Sequence, residues 1–146
     1  ANFRKDEGAS LEKEFQLRIG NINNLMNEAV SYDAERVETV KTRLRTALDE
    51  LKVNVDENRF EQELIFYLEK YDITEEKVRL GNHLNYFLET LNGTEANGRK
   101  LGFITQEMGR EINTMGSKSN HTEMQKLVVM MKDELEKIKE QVLNVL

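Results

Sequence analysis

The chain has no cysteine, no proline and no tryptophan among its 146 residues, and only four tyrosines and six phenylalanines. Lack of cysteine excludes disulfides, thiolate zinc sites and thiol nucleophiles, and is compatible with a reducing cytoplasm. Lack of proline removes the usual punctuation of strands and turns. No apolar run approaches the roughly 18 residues of a membrane span, and no signal-peptide pattern is present. A formal net charge of −6 argues against indiscriminate binding to nucleic acid, so any such surface must be a local patch. What is abundant is charge, at 33% of residues against 38% hydrophobic ones. That balance fits long helices far better than sheets, and the length suits one domain with a moderate core.

Hydrophobic spacing predicts an all-α protein of long antiparallel hairpins forming a helical bundle with coiled-coil character. Leu11, Phe15, Ile19, Ile22, Met26 and Ala29 recur at helical steps. After Asp33, Val37, Val40, Leu44, Leu48 and Leu51 share a side of a second helix. Asn54 with Glu57, or Asp56 alone, can cap the next one, which carries Phe60, Leu64, Tyr67 and Leu68. Asp72-Ile73-Thr74-Glu75 has the form of a capping box before Leu80, Leu84, Phe87, Leu88 and Leu91. Asn92-Gly93-Thr94 and Asn97-Gly98 are the clearest loop signals. In the last helix, capped by Asn120 with Glu123, Met124, Val128, Met131, Leu135, Ile138, Val142 and Val145 keep a heptad seam. A seam of that length predicts self-association, because one short neighbour would not cover it.

The densest chemistry lies between Gly98 and Asn120. Leu101, Ile104, Met108, Ile112 and Met115 form a docking stripe. Arg99, Gln106, Arg110, Asn113 and Ser117 share one face beside it, and Lys100, Glu107, Glu111, Thr114 and Lys118 share the next. Residues 99–118 carry four cations and two anions, a local net of +2, and bidentate arginines suit phosphates. Lys41, Arg43 and Arg45 make a second basic cluster. Glu107 and Glu111, one turn apart, can share a hard cation such as Mg²⁺ or Mn²⁺. The competing reading is a salt-bridged face in which Lys100, Arg110 and Lys118 neutralise both. His83 and His121 are the two candidates for proton transfer, with the helix dipole disfavouring a charged His121. Gly102, Gly109 and Gly116 align at steps of seven into a smooth strip suited to close helix packing.

Residues 98–119 resemble the signature of the YicC-like proteins, bacterial stress-linked proteins described as endoribonucleases. Against the family pattern G-R-[KR]-L-D-F-x-x-Q-E-x-x-R-E-x-N-T-x-x-S-K-[SA], the chain matches at Gly98, Arg99, Lys100, Leu101, Phe103, Gln106, Glu107, Arg110, Glu111, Asn113, Thr114, Ser117 and Lys118. It departs at Gly102, where the family usually has Asp, and at Gly109, where it often has Asn. Asn58-Arg59-Phe60-Glu61-Gln62-Glu63 is similar to the family's N-R-L-x-Q-E. Asp72 to Glu76, Arg79-Leu80 and His83 are similar to its D-[IV]-x-E-E-x-x-R-L-x-x-H. Glu7-Gly8-Ala9 with Leu11 resembles the start of the family's C-terminal half, and the tail to Val142 its closing helix.

The resemblance implies that residues 1–146 are one helical domain, the C-terminal half of a longer two-domain protein. Residues 1–52 would form long N-terminal helices and 53–146 the signature region. It also implies a cytoplasmic enzyme that cuts single-stranded RNA with a divalent metal, has no membrane role, and assembles with itself, as a hexamer in the full-length protein. On that reading Arg99, Lys100, Gln106, Arg110, Asn113, Ser117 and Lys118 bind RNA phosphates. Glu107 and Glu111 are catalytic and hold the metal, and His83 transfers a proton. Cleavage by the RNA's own 2′-hydroxyl, with less need of metal, stays open. The alternative is a non-catalytic oligomerisation or RNA-adaptor domain whose polar helix is a subunit interface.

Overall fold

The computed structural model describes residues 2–51, 54–93, 98–119 and 121–145. These residues form six α-helices: α1 (Asn2–Ser31), α2 (Asp33–Glu50), α3 (Glu57–Lys70), α4 (Thr74–Leu91), α5 (Gly98–Lys118) and α6 (Thr122–Val142). No strand occurs among the described residues, as the composition predicts.

Four of the helices, α1, α4, α5 and α6, close a bundle in which α1 lies beside α6 and α4, and α5 lies between α4 and α6. The core is the set of apolar stripes read from the sequence. Phe15, Ile19, Ile22, Met26 and Ala29 of α1 meet Leu80, Leu84 and Phe87 of α4, the α5 stripe and the α6 seam. Phe15 and Phe87 pack edge to face at 5.2 Å between centroids, joining α1 to α4. The α6 heptad seam from Met124 to Val142 is buried in the chain's own core, and Val145 packs against that core. This corrects the expectation that the seam is free to bind a second copy: α1 and α5 already cover it.

The three aligned glycines face α6. A Cβ at Gly116 would lie 3.1 Å from the Val128 side chain, one at Gly109 3.3 Å from Leu135, and one at Gly102 3.8 Å from Val142. The small residues let α5 approach α6 along their length, with antiparallel register set by these three pairs. At the end of that contact Gly98 meets backbone rather than side chain, since a Cβ there would collide with the Val145 carbonyl.

The helices α2 and α3 are not part of the bundle. Val40, Phe60 and Leu64 form a separate small cluster with Leu48, Val55, Tyr67 and Leu68 packed on it. Leu44 and Leu51, expected to face inwards, are exposed, because this two-helix arm has no third element to cover them. Arg45 bridges the arm: its guanidinium pairs with Glu57 and lies 4.1 Å over the Phe60 ring.

Helix ends follow side-chain chemistry, with some reassignments. Asp56 caps α3 by accepting from the Asn58 and Arg59 N–H groups at 3.0 and 3.3 Å. Asp72 accepts from the Thr74 N–H and hydroxyl, at 3.2 and 2.7 Å, but Glu75 pairs with Arg79, so the reciprocal capping box does not form. Asn120 lies outside the described residues. The N-cap of α6 is His121, whose Nδ1 accepts from the Met124 N–H at 3.4 Å while Nε2 lies 3.3 Å from Glu35 and the ring stacks on Tyr32. Both ring nitrogens of His121 are thus engaged by groups of this chain.

Candidate functional site: one exposed row and one seam of helix α5

Helix α5 divides its polar residues between two environments. Its apolar stripe is buried as predicted, and this orientation turns Arg99, Gln106, Arg110, Asn113 and Ser117 to the outside, where all five are exposed. Arg99, Lys100, Gly102, Phe103 and Gln106 line a shallow open depression near the start of the helix. Two cationic side chains and an amide therefore converge there, with Arg110, Asn113 and Ser117 continuing the row. The Ser117 hydroxyl donates to the Thr114 carbonyl at 2.9 Å and keeps a lone pair for a further donor.

The second set, Lys100, Glu107, Glu111, Thr114 and Lys118, runs along the seam with α4. Its two ends are anchored. The Lys118 ammonium donates to Glu76 Oε1 at 2.6 Å and to the Asp72 carbonyl at 3.1 Å. The Lys100 ammonium lies 5.0 Å over the Tyr86 ring. The Lys118–Glu76 and Lys100–Tyr86 contacts tie α5 to α4 in antiparallel directions, with His83 between Glu76 and Tyr86 on α4 and Glu111 between Lys100 and Lys118 on α5. His83 and Glu111 make no hydrogen bond or ion pair with each other.

Glu111 is 5% exposed, yet its carboxylate has no hydrogen-bond or ion-pair partner among the described residues. Glu107, one turn away and half-buried, has none either. The salt-bridged face expected as the competing reading is therefore not formed: Lys118 pairs with Glu76 instead, and Arg110 is turned outwards. Glu107 and Glu111, one helical turn apart, are the residues of this seam whose carboxylates could contribute to holding a hard cation, which would need further oxygen ligands. Among the described residues no group of three His, Asp or Glu side chains is clustered for one ion.

Two functional features escape the sequence reading. Glu76 is 4% exposed and supplies the only side-chain partner of Lys118 among the described residues, whereas Lys118 reads as a phosphate ligand from spacing alone. Its signal is position, since Glu76 falls on the same helical stripe as Leu80, Leu84 and Phe87. Phe103 is exposed although every other large apolar residue of α5 is buried, and its signal is a large aromatic off the apolar stripe.

The fold and seam define a helical domain with a cationic outward row and an acidic edge, Glu107 and Glu111, that is unpaired among the described residues. Residues 29–146 match the family described as endoribonuclease YicC-like, C-terminal. Over 146 residues the chain is 39% identical to a probable endoribonuclease YicC of Clostridioides difficile, covering 98% of this chain and 50% of that protein. Over 142 residues it is 32% identical to a probable endoribonuclease YicC of Haemophilus influenzae, covering 97% and 50%. The chain belongs to the YicC-like endoribonuclease family, and it spans about half the length of the curated relatives it matches. No helix among the described residues is long and apolar enough to cross a membrane.

Proposed function

We propose that this chain is the helical half of an endoribonuclease that cuts single-stranded RNA with help from a divalent cation. The observation that carries the reading is Glu111, a residue packed into the α4–α5 seam whose carboxylate has no hydrogen-bond or ion-pair partner among the described residues, beside Glu107 and next to a cationic row. Arg99, Lys100 and Arg110 hold phosphates, while Gln106, Asn113 and Ser117 orient the sugar-phosphate chain through neutral hydrogen bonds. Lys118 contributes at one remove, by holding α4 against α5. Glu107 and Glu111 hold the cation, which when bound supplies charge for the developing phosphorane oxygens and lowers the pKa of water. His83, on the neighbouring helix α4, carries the proton to the leaving oxygen. Family names for the relatives support RNA as the substrate class. Self-association belongs to the same reading, through faces other than the α6 seam.

Glu107→Gln and Glu111→Gln test this in the full-length protein. Each keeps size and hydrogen bonding but removes the charge a cation needs. Cleavage of single-stranded RNA should fall at least tenfold, about 1.4 kcal/mol on the barrier, and added Mn²⁺ should restore part of it. Wild-type cleavage rates in both variants would remove the acidic edge from the mechanism. Arg99→Ala and Arg110→Ala should weaken RNA binding and flatten its salt dependence, since ion release supplies most of the affinity.

A further inference from the structure

Phosphate contacts leave Phe103 unexplained. It is 64% exposed, on a helix whose other large apolar side chains are all buried. Single exposed apolar residues are common and call for no function by themselves. This one lies in the depression lined by Arg99, Lys100 and Gln106. Helical spacing puts Arg99, Phe103, Gln106 and Arg110 in one outward row, with the ring about 6 Å along the axis from Arg99 and about 10 Å from Arg110. The Phe103 ring makes no ring or cation contact with any described residue, whereas the neighbouring Tyr86 ring is covered by the Lys100 ammonium.

We propose that Phe103 is a stacking platform for an unpaired base of single-stranded RNA, between the phosphate contacts of Arg99 and Arg110. This rests on the phosphate-binding reading of the same row. An exposed ring flanked by cations takes a base on its face while the neighbouring guanidiniums take the backbone on either side. Bases inside a duplex are already stacked and cannot reach the ring, so the platform selects single strands. It tolerates sequence, because every base has a π-face. It also supplies attraction that survives salt, which a local net of +2 on a chain of −6 does not.

The test uses three probes, a single-stranded oligouridine, a duplex RNA and inorganic polyphosphate, with Phe103→Ala, Phe103→Leu and Phe103→Trp. Phe103→Ala should weaken oligouridine binding roughly tenfold while leaving the salt slope and polyphosphate binding unchanged. Phe103→Leu should not restore the affinity, and Phe103→Trp should. The chain has no tryptophan, so the introduced indole reports alone. Its fluorescence should be quenched by oligouridine and little affected by duplex or polyphosphate. Because the position is exposed, circular dichroism of all three variants should match wild type. Unchanged oligouridine affinity in Phe103→Ala, with weakened binding in Arg99→Ala and Arg110→Ala, overturns the platform and leaves the phosphate row standing. A changed mass in light scattering with unchanged RNA affinity overturns it in favour of a protein interface. Wild-type protein that binds neither RNA nor polyphosphate defeats both readings.

Discussion

Replacing Lys118 by methionine separates two roles that a surface lysine and a buried one play differently. The ammonium is held at 2.6 Å from Glu76 Oε1 and 3.1 Å from the Asp72 carbonyl. Glu76 is 4% exposed, and its Oε2 has no hydrogen-bond partner. Methionine fills most of the lysine stem but leaves a buried carboxylate with no partner at either oxygen. Removing one member of a buried pair costs about 3–5 kcal/mol, far above the roughly 0–1 kcal/mol of an exposed pair. Lys118 keeps about a quarter of its side-chain surface in solvent, at 26%, so the lower end, about 3 kcal/mol, is expected. For a chain of this size that lowers Tm by about 6–12 °C. Urea unfolding followed by circular dichroism measures the loss. The double variant Lys118→Met with Glu76→Gln should recover a substantial part, because the orphaned charge is gone. RNA affinity per folded molecule should change less than in Arg99→Ala. Wild-type stability for Lys118→Met, combined with a large loss of RNA affinity, would refute this reasoning and return Lys118 to the phosphate row.

Three further outcomes follow from the packing and charge of the bundle. Gly98→Ala should destabilise by about 1–3 kcal/mol, since the new Cβ meets the Val145 carbonyl, whereas Gly102→Ala meets only an ordinary contact and should gain up to about 1 kcal/mol of helix propensity; thermal melts of the pair check the contrast. Ile138→Ala should cost about 2–5 kcal/mol in denaturant unfolding without changing the mass in light scattering, because the α6 seam is buried inside its own chain. Burial pushes the Glu134 carboxyl up, but hydrogen bonds from Asn21 and Arg18 hold it below its ordinary value of 4.5. Its folded-state contribution is therefore full above about pH 4.5 and is lost as pH falls through the lower folded value. Glu134→Gln should weaken this α1–α6 link at neutral pH and make stability less steep with pH in the acid range, which unfolding curves between pH 3 and 6 would detect.

Periodicity was enough to determine most of the fold. Apolar residues at helical steps must face a common core, so spacing alone marks Phe15 to Ala29, Leu80 to Phe87, the α5 stripe and the α6 seam as core. The exposure of Arg99, Gln106, Arg110, Asn113 and Ser117 followed from that stripe, since side chains on the opposite face have nowhere else to go. The alignment of Gly102, Gly109 and Gly116 likewise announced a close helix contact. What one-dimensional spacing cannot supply is the identity of the neighbour. A heptad seam looks the same whether the covering helices come from the same chain or another, and only the bundle shows α1 and α5 on it. Asp72 and Glu75 have capping-box spacing, but Arg79 draws Glu75 away. Lys118 and Glu111 lie on one helix face, within reach of each other by spacing. Tertiary packing gives Lys118 to Glu76 on α4 and leaves Glu111 nearly buried and unpaired, because ion pairs are decided by which helix lies opposite. The acidic edge that carries the proposed chemistry is thus written in the sequence as two glutamates, and is made unusual only by the helix packed against them.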